Sequence, residues 1–325
     1  MGAGPRERAC KGVRGTTSPG WEDDKISPGE TGILSKVVGW LAVIFMVAAA
    51  SVGAWVARST GLDGPVAGNA AAKGVKHSGW GRERSPREVL FAEVQPVKLR
   101  NCELARFGEP NDGGYLICAN LLGDVGAAYS YGISGYDGWG CDVSTRLKVP
   151  VHQYDCFNTT RPSCPTGQPV FHPECIAGGH RKDEEGRLFD SLQSQFAKNG
   201  DAGKHLVVKM DVEGAEWESI LQTPDEVLDR IDQLVFEFHG IERNAPFYLE
   251  VIAKLKRRFE IVHLHFNNYS CLAGGNPFPA WAYEVTLVNK RLAQVDPDAK
   301  AVLPHPLDTP NTPLVPDCQD LAILR

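Results

Sequence analysis

Two kinds of apolar pattern divide the chain. The first is an uncharged run over residues 37–57, reading VVGWLAVIFMVAAASVGAWVA. The second begins near Val89, where apolar runs of strand length alternate with stretches of helical spacing. Residues 127–133 (AAYSYGI), 149–154 (VPVHQY), 205–210 (HLVVKM), 233–238 (QLVFEF), 259–265 and 282–288 predict strands. Residues 186–199 place Leu188, Phe189, Leu192 and Phe196 on one helical face, and Gly200 marks the stop. Residues 215–221 predict a helix start with Trp217, Ile220 and Leu221 inward, and residues 247–258 are amphipathic. Strands alternating with helices predict an α/β domain on a mostly parallel sheet covered on both faces. No helical pattern separates the last two strands, which predicts an antiparallel hairpin at the sheet edge.

Residues 37–57 reach the roughly 20 apolar residues that cross a bilayer core as one helix. Lys36 and Arg58 bracket the run, and Trp40 and Trp55 stand near its ends, as interfacial aromatics do. A cleaved signal peptide has a short basic leader and about 7–15 apolar residues. Residues 1–36 precede this run, so a retained single-pass anchor is the preferred reading; Ala48-Ala49-Ala50-Ser51 would suit cleavage instead. Residues 1–36 and 58–88 are rich in Gly, Pro, Ser and charge, predicting a disordered tail and a flexible stem before a folded domain over residues 89–325.

Basic residues flank the span on both sides, so orientation rests on other signals. Cys102, Cys118, Cys141, Cys156, Cys164, Cys175, Cys271 and Cys318 all follow the run, and Asn158-Thr159-Thr160 and Asn268-Tyr269-Ser270 are sequons. Together they suit a lumenal domain (Golgi or endoplasmic reticulum) or an extracellular one. Reduced, buried cysteines and unused sequons are the opposing reading, and spacing leaves the pairing open. The formal net charge of −6 excludes general nucleic-acid binding. The basic stretch over residues 254–258 reads as the solvated face of a helix.

Open α/β sheets bind ligands at the carboxyl ends of their strands. The predicted strand ends carry Tyr131-Gly132-Ile133-Ser134-Gly135, then Asp155, then Lys209-Met210-Asp211-Val212-Glu213-Gly214-Ala215-Glu216, then Glu237-Phe238-His239, and finally His263 to Asn268. Glycines at the first end would let a ligand approach the backbone, and Asp155 at the second could accept from ribose hydroxyls. Each has a plainer reading. Gly132 and Gly135 could shape a turn, Asp155 could cap a helix, and Glu213 and Glu216 could complement a helix dipole. The glycine spacing is not GxGxxG, which counts against nicotinamide chemistry.

Leu206-Val207-Val208-Lys209-Met210-Asp211-Val212-Glu213-Gly214-Ala215-Glu216-Trp217 closely resembles the KxDxEGxE signature of FkbM-type methyltransferases. Asn111-Asp112-Gly113-Gly114-Tyr115, Tyr129 to Ile133, Gln233 to His239 and the closing Leu307-Asp308-Thr309-Pro310-Asn311 resemble the eukaryotic methyltransferase-like branch of that family, over roughly residues 95–315. The first loop departs from the family's denser glycine pattern. The resemblance implies a Rossmann-like methyltransferase fold, S-adenosylmethionine as cofactor, and O-methylation of a hydroxyl on a glycan or small molecule. On that reading Tyr131, Gly132, Ser134, Gly135 and Asp155 face the cofactor. His239 is the candidate base and Asp211 its rival, while Glu213 and Glu216 orient the acceptor or Lys209. Asp211, Glu213, His239, His265 and Asn267 would suit Mg²⁺ or Mn²⁺, but their spacing does not demand a metal and none is assigned. A lumenal glycosyltransferase, for which Asp211-Val212-Glu213 is a near miss to Asp-x-Asp, and a non-catalytic lumenal binding domain are the competing functions.

Overall fold

The computed structural model describes residues 83–241, 243–271 and 277–318. The expected tail and anchor, and the stem up to residue 82, lie outside the described residues. Among the described residues no helix is long and apolar enough to cross a membrane.

The centre is a seven-stranded sheet: β1 Val125–Tyr131, β2 Val151–Tyr154, β3 Val170–His172, β4 His205–Met210, β5 Ile231–His239, β6 Phe259–Phe266 and β7 Ala282–Asn289. Their spatial order is β6-β7-β5-β4-β1-β2-β3. Strands β3, β2, β1, β4 and β5 run parallel, and β7 is antiparallel to both β5 and β6. The protein is therefore α/β with a mostly parallel sheet, as the alternation predicted. The hairpin forms too, but its second strand inserts between β5 and β6 and leaves β6 at the edge. Every residue of β7 is buried, which an inner strand requires. From β1 the chain steps outward to β2 and β3, then crosses to β4 on the opposite side of β1. In open α/β sheets such a reversal is where ligands bind, which here means the carboxyl ends of β1 and β4.

Period-two alternation divides the side chains between the faces. On one face Tyr129, Val208, Met210 and Phe236 pack against α3 (Leu192–Lys198), α4 (Ala215–Gln222) and α5 (Ala245–Lys256) through Phe196, Trp217, Ile220, Val251 and Ile252. Helix α1 (Pro86–Glu93), started by a Ser85–Glu88 capping box with proline at its first turn, adds Leu90 and Phe91 to this cluster. On the other face Ala128, Val207 and Val235 meet Trp139 and Val143 of α2 (Gly138–Leu147). Phe107, Tyr115 and Ile117 of the antiparallel pair Leu104–Phe107 and Tyr115–Cys118 complete that layer.

The helix expected over residues 186–199 is corrected. Leu188–Asp190 is a strand paired with Glu174–Ile176 and Arg181–Lys182, and α3 starts only after Ser191, whose side chain accepts from the Ser194 amide. Phe189 packs beside Cys156, Cys175 and Ala177, with the Arg181 guanidinium 4.1 Å from its ring centre. Tertiary contacts at Phe189 thus override a spacing that also fits a helix. The eight cysteines among the described residues form four disulfides: Cys102–Cys118, Cys141–Cys164, Cys156–Cys175 and Cys271–Cys318. The last ties down a strap over residues 305–318. There Asn111 Nδ2 donates to the Pro310 carbonyl at 2.8 Å and the Asp112 amide to the Asn311 carbonyl at 3.1 Å, so the two outer sequence motifs touch each other.

Candidate active site

Because β1, β2, β4 and β5 are parallel, their carboxyl ends share one rim. Gly132 follows β1, Asp155 follows β2, Asp211 follows β4, and His239 ends β5. The rim is tightest at the reversal between β1 and β4. The Asp211 amide donates to the Tyr131 carbonyl at 3.2 Å. A Cβ on Gly132 (φ 72°) would stand 1.6 Å from the Asp211 carbonyl oxygen. Glycine is needed there for this backbone approach.

The loop after β1 continues through Ser134 (φ 45°) and Gly135 (φ 80°) into α2, which Asp137 caps by accepting from the Gly140 amide at 2.8 Å. Asp155 is buried, and its carboxylate accepts from three backbone amides: Ser134 at 2.7 Å, Phe157 at 2.8 Å and Asn158 at 2.9 Å. It pins the β1 loop to the β2 loop. The Tyr131 ring lies in the opposite face's core, stacked on Tyr154 at 4.9 Å, so only its backbone reaches the rim. Tyr136 and Phe157 are the exposed aromatics next to these two loops.

The β4 and β5 ends hold the densest chemistry. Lys209 Nζ lies 3.3 Å from Asp211 Oδ2 and 3.2 Å from the Gly132 carbonyl, over the Tyr115 ring. The Tyr115 hydroxyl donates to the same Asp211 oxygen at 3.2 Å. Glu213 holds a left-handed backbone (φ 55°), a strained conformation for a residue with a side chain, and Gly214 (φ 103°) follows it. This turn swings α4 back over the sheet and leaves the exposed Glu213 carboxylate 3.7 Å from His239 Nε2. Strand alternation sets Glu237 beside His239 on one face. Buried Glu216 accepts from the Val212 amide at 3.0 Å and bonds His239 Nδ1 at 2.9 Å. Trp217 Nε1 donates to the His239 carbonyl at 2.9 Å and fixes the strand end.

Charge and burial oppose each other here. Burial pulls His239 down, but the carboxylates of Glu216 and Glu237 outweigh it and hold the imidazole well above its ordinary value. Burial pushes Glu237 up to about 7, helped by the Asp211 charge and opposed by His239. Burial pulls Lys209 down as well, yet Asp211 and Asp137 keep the ammonium above its usual value.

Sequence reasoning named Lys209, Asp211, Glu213 and His239, and the structure brings all four together with Glu237 and Tyr115, which it did not name as site residues. Period-two spacing from His239 would have found Glu237, and Tyr115 closes the Asn111–Tyr115 motif. His265 is not in this group. It sits between Glu284 (3.1 Å) and Asp317 (3.2 Å) on the far side of β7. Asn267 reaches the cluster indirectly, donating to Glu237 Oε1 at 2.7 Å. Asn268 is buried and its amide nitrogen donates to the Thr312 and Val315 carbonyls, so that sequon is sealed in the fold. A hollow of about 470 Å³ lined by Arg161, Cys164, Gly167, Gln168 and Val170 contains none of the rim groups.

No family model matches the sequence, and no curated protein matches it. Among solved structures, the chain is similar to the crystal structure of methyltransferase FkbM from Methylobacillus flagellatus KT. The identity is 10%, the TM-score 0.28, and the match covers 50% of this chain and 44% of that one. The chain thus spans less than half the length of that protein, and a superposition so loose says nothing about chemistry.

Proposed function

We propose that the domain is an S-adenosylmethionine-dependent methyltransferase that O-methylates a hydroxyl on a glycan or small molecule. The observation that carries this reading is the meeting of the β1 loop, Asp155, Asp211 and His239 on one rim at the sheet's reversal. The cofactor-facing half fits such a ligand in kind. Asp155 uses three of the roughly four acceptor positions of a carboxylate and keeps one for a ribose hydroxyl. Exposed Tyr136 and Phe157 offer apolar walls for a purine.

The cofactor supplies an electrophilic methyl group. This chain's residues have two tasks, to align the acceptor oxygen and to receive its proton. Alignment is worth up to about 7–11 kcal/mol when geometry is held firmly. The rim is held firmly, because Tyr115 and Lys209 fix Asp211 while Glu216 and Trp217 fix His239. The acceptor's proton passes to the Asp211 carboxylate, because His239, whose Nε2 lies 3.8 Å away, is held in its protonated form by Glu216 and Glu237. Four disulfides support a lumenal or extracellular domain, held at the membrane through residues 37–57.

Calorimetric titration of the full-length protein tests the reading. Saturable binding of S-adenosylmethionine, and none of a UDP-sugar with Mn²⁺, is the expected result. Binding of the UDP-sugar alone would make the protein a glycosyltransferase, and binding of neither would leave no catalytic role for the rim.

A further inference from the structure

His239 is buried, and its two ring nitrogens have different surroundings. Nδ1 is bonded to Glu216, itself fully buried, at 2.9 Å. Nε2 points into three carboxylates, with Glu237 Oε1 at 3.5 Å, Glu213 Oε2 at 3.7 Å and Asp211 Oδ1 at 3.8 Å. Among the described residues none of these reaches the roughly 2.7–2.9 Å of a charge-assisted hydrogen bond. An imidazole seeking only a hydrogen bond would close on one carboxylate. Donors around a shared ion behave differently: bonds of about 2.0–2.2 Å hold neighbouring donors roughly 3–4.4 Å apart. One atom each from Asp211, Glu237 and His239 indeed lie within 4.8 Å of one another.

The outer contacts point the same way. Metal-binding histidines hand their second nitrogen to a carboxylate or carbonyl, and metal-binding carboxylates are themselves hydrogen-bonded. Here His239 is backed by Glu216, Asp211 Oδ2 by Tyr115 and Lys209, and Glu237 by Asn267. Asp211 thereby turns its other oxygen, Oδ1, toward His239.

We propose that Asp211, Glu237 and His239 bind one divalent cation of the Mn²⁺ or Mg²⁺ class, with Glu213 closing over it. Carboxylate oxygens with a single imidazole suit these hard ions. The site stands on its donors whatever reaction runs beside it. Its use in presenting an acceptor hydroxyl rests on the methyl-transfer reading.

The test is Mn²⁺ binding to the full-length protein, followed by electron paramagnetic resonance. One saturable Mn²⁺ per chain is expected, with spin-echo modulation from a directly bound imidazole nitrogen. Asp211→Asn and Glu237→Gln should each weaken binding at least tenfold, and Glu216→Gln about tenfold through His239. Asp298→Asn, at a surface acid outside the rim, should leave it unchanged. Absence of saturable binding, absence of the nitrogen signal, or equal affinity in Asp211→Asn and Glu237→Gln overturns the site. If those variants do not fold, the nitrogen signal of the parent protein decides. S-adenosylmethionine binding measured in EDTA separates the two ideas. Cofactor binding without Mn²⁺ binding removes the metal alone, and Mn²⁺ binding without cofactor binding removes the methyl-transfer reading alone.

Discussion

Removing the Asp155 carboxylate separates its structural task from its proposed ligand task. In Asp155→Ala three amides lose their acceptor, those of Ser134, Phe157 and Asn158, at 2.7, 2.8 and 2.9 Å. Hydrogen bonds to a charged group contribute about 1.5–3 kcal/mol each when buried. Ser134 and Phe157 are exposed, so water recovers part of that loss and the expected total is about 2–4 kcal/mol. For a domain of this size about 1 kcal/mol moves the melting midpoint by roughly 2–4 °C, giving a drop of about 5–15 °C. Asp155→Asn is the graded case. Its carbonyl oxygen can still serve Phe157 and Asn158, while its NH₂ group faces the Ser134 amide, so about 1–2 kcal/mol should go. Urea unfolding with the disulfides intact measures both variants, and calorimetry measures S-adenosylmethionine affinity on the same samples. The reasoning fails if Asp155→Ala loses the cofactor more than tenfold while its unfolding midpoint matches the parent. That result would make the carboxylate a ligand group that the loop does not need.

Three other outcomes are expected. Replacing Cys271 and Cys318 by serine opens a cross-link between residues 47 apart, which should cost about 4 kcal/mol; if limited proteolysis then finds residues 305–318 no more accessible than in the parent, the disulfide does not hold the strap. Burial pulls His265 down, but Asp317 and Glu284 lift it to about 10. A raised folded value stabilises fully below about 6.5 and is lost as pH rises toward 10. Between pH 6 and pH 9 the parent should therefore lose about 2–4 kcal/mol more than His265→Gln, and parallel pH curves for the two would show that the imidazole contributes none of it. Peptide mass spectrometry of protein from a secretory host should find Asn268 unmodified in folded material, because its amide is buried against Thr312 and Val315; a glycan there would mean that the strap does not pack as described.

The legible parts of this fold share one physical property. Inner parallel strands are buried on both faces, so β4 and β5 stand out by the apolar stretches Leu206–Val208 and Leu234–Phe236, and Lys209, Asp211 and His239 could be placed at their ends. Strand β3 and the pair Leu104–Phe107 with Tyr115–Cys118 have three or four residues each, too short for a period to show. Their order comes from neighbours distant in sequence, such as the Cys102–Cys118 disulfide and Trp139. At Asp155 the sequence offers a ribose acceptor or a helix cap, and no spacing shows that Ser134, Phe157 and Asn158 turn their amides toward it.

The separation of His265 from His239 has one cause, the position of β7. If β6 lay directly beside β5, residues at the two strand ends would be cross-strand neighbours, about 4.8 Å apart. With β7 inserted, Glu237 pairs with Glu284, and Glu284 pairs in turn with His265, which doubles that separation. His265 then pairs with Glu284 and Asp317, while Glu237 is left to face Asp211 and His239. A single topological choice therefore divides the histidines and acids at this end of the sheet into two sets. One set binds the strap to the sheet, and the other stands on the rim where chemistry is proposed.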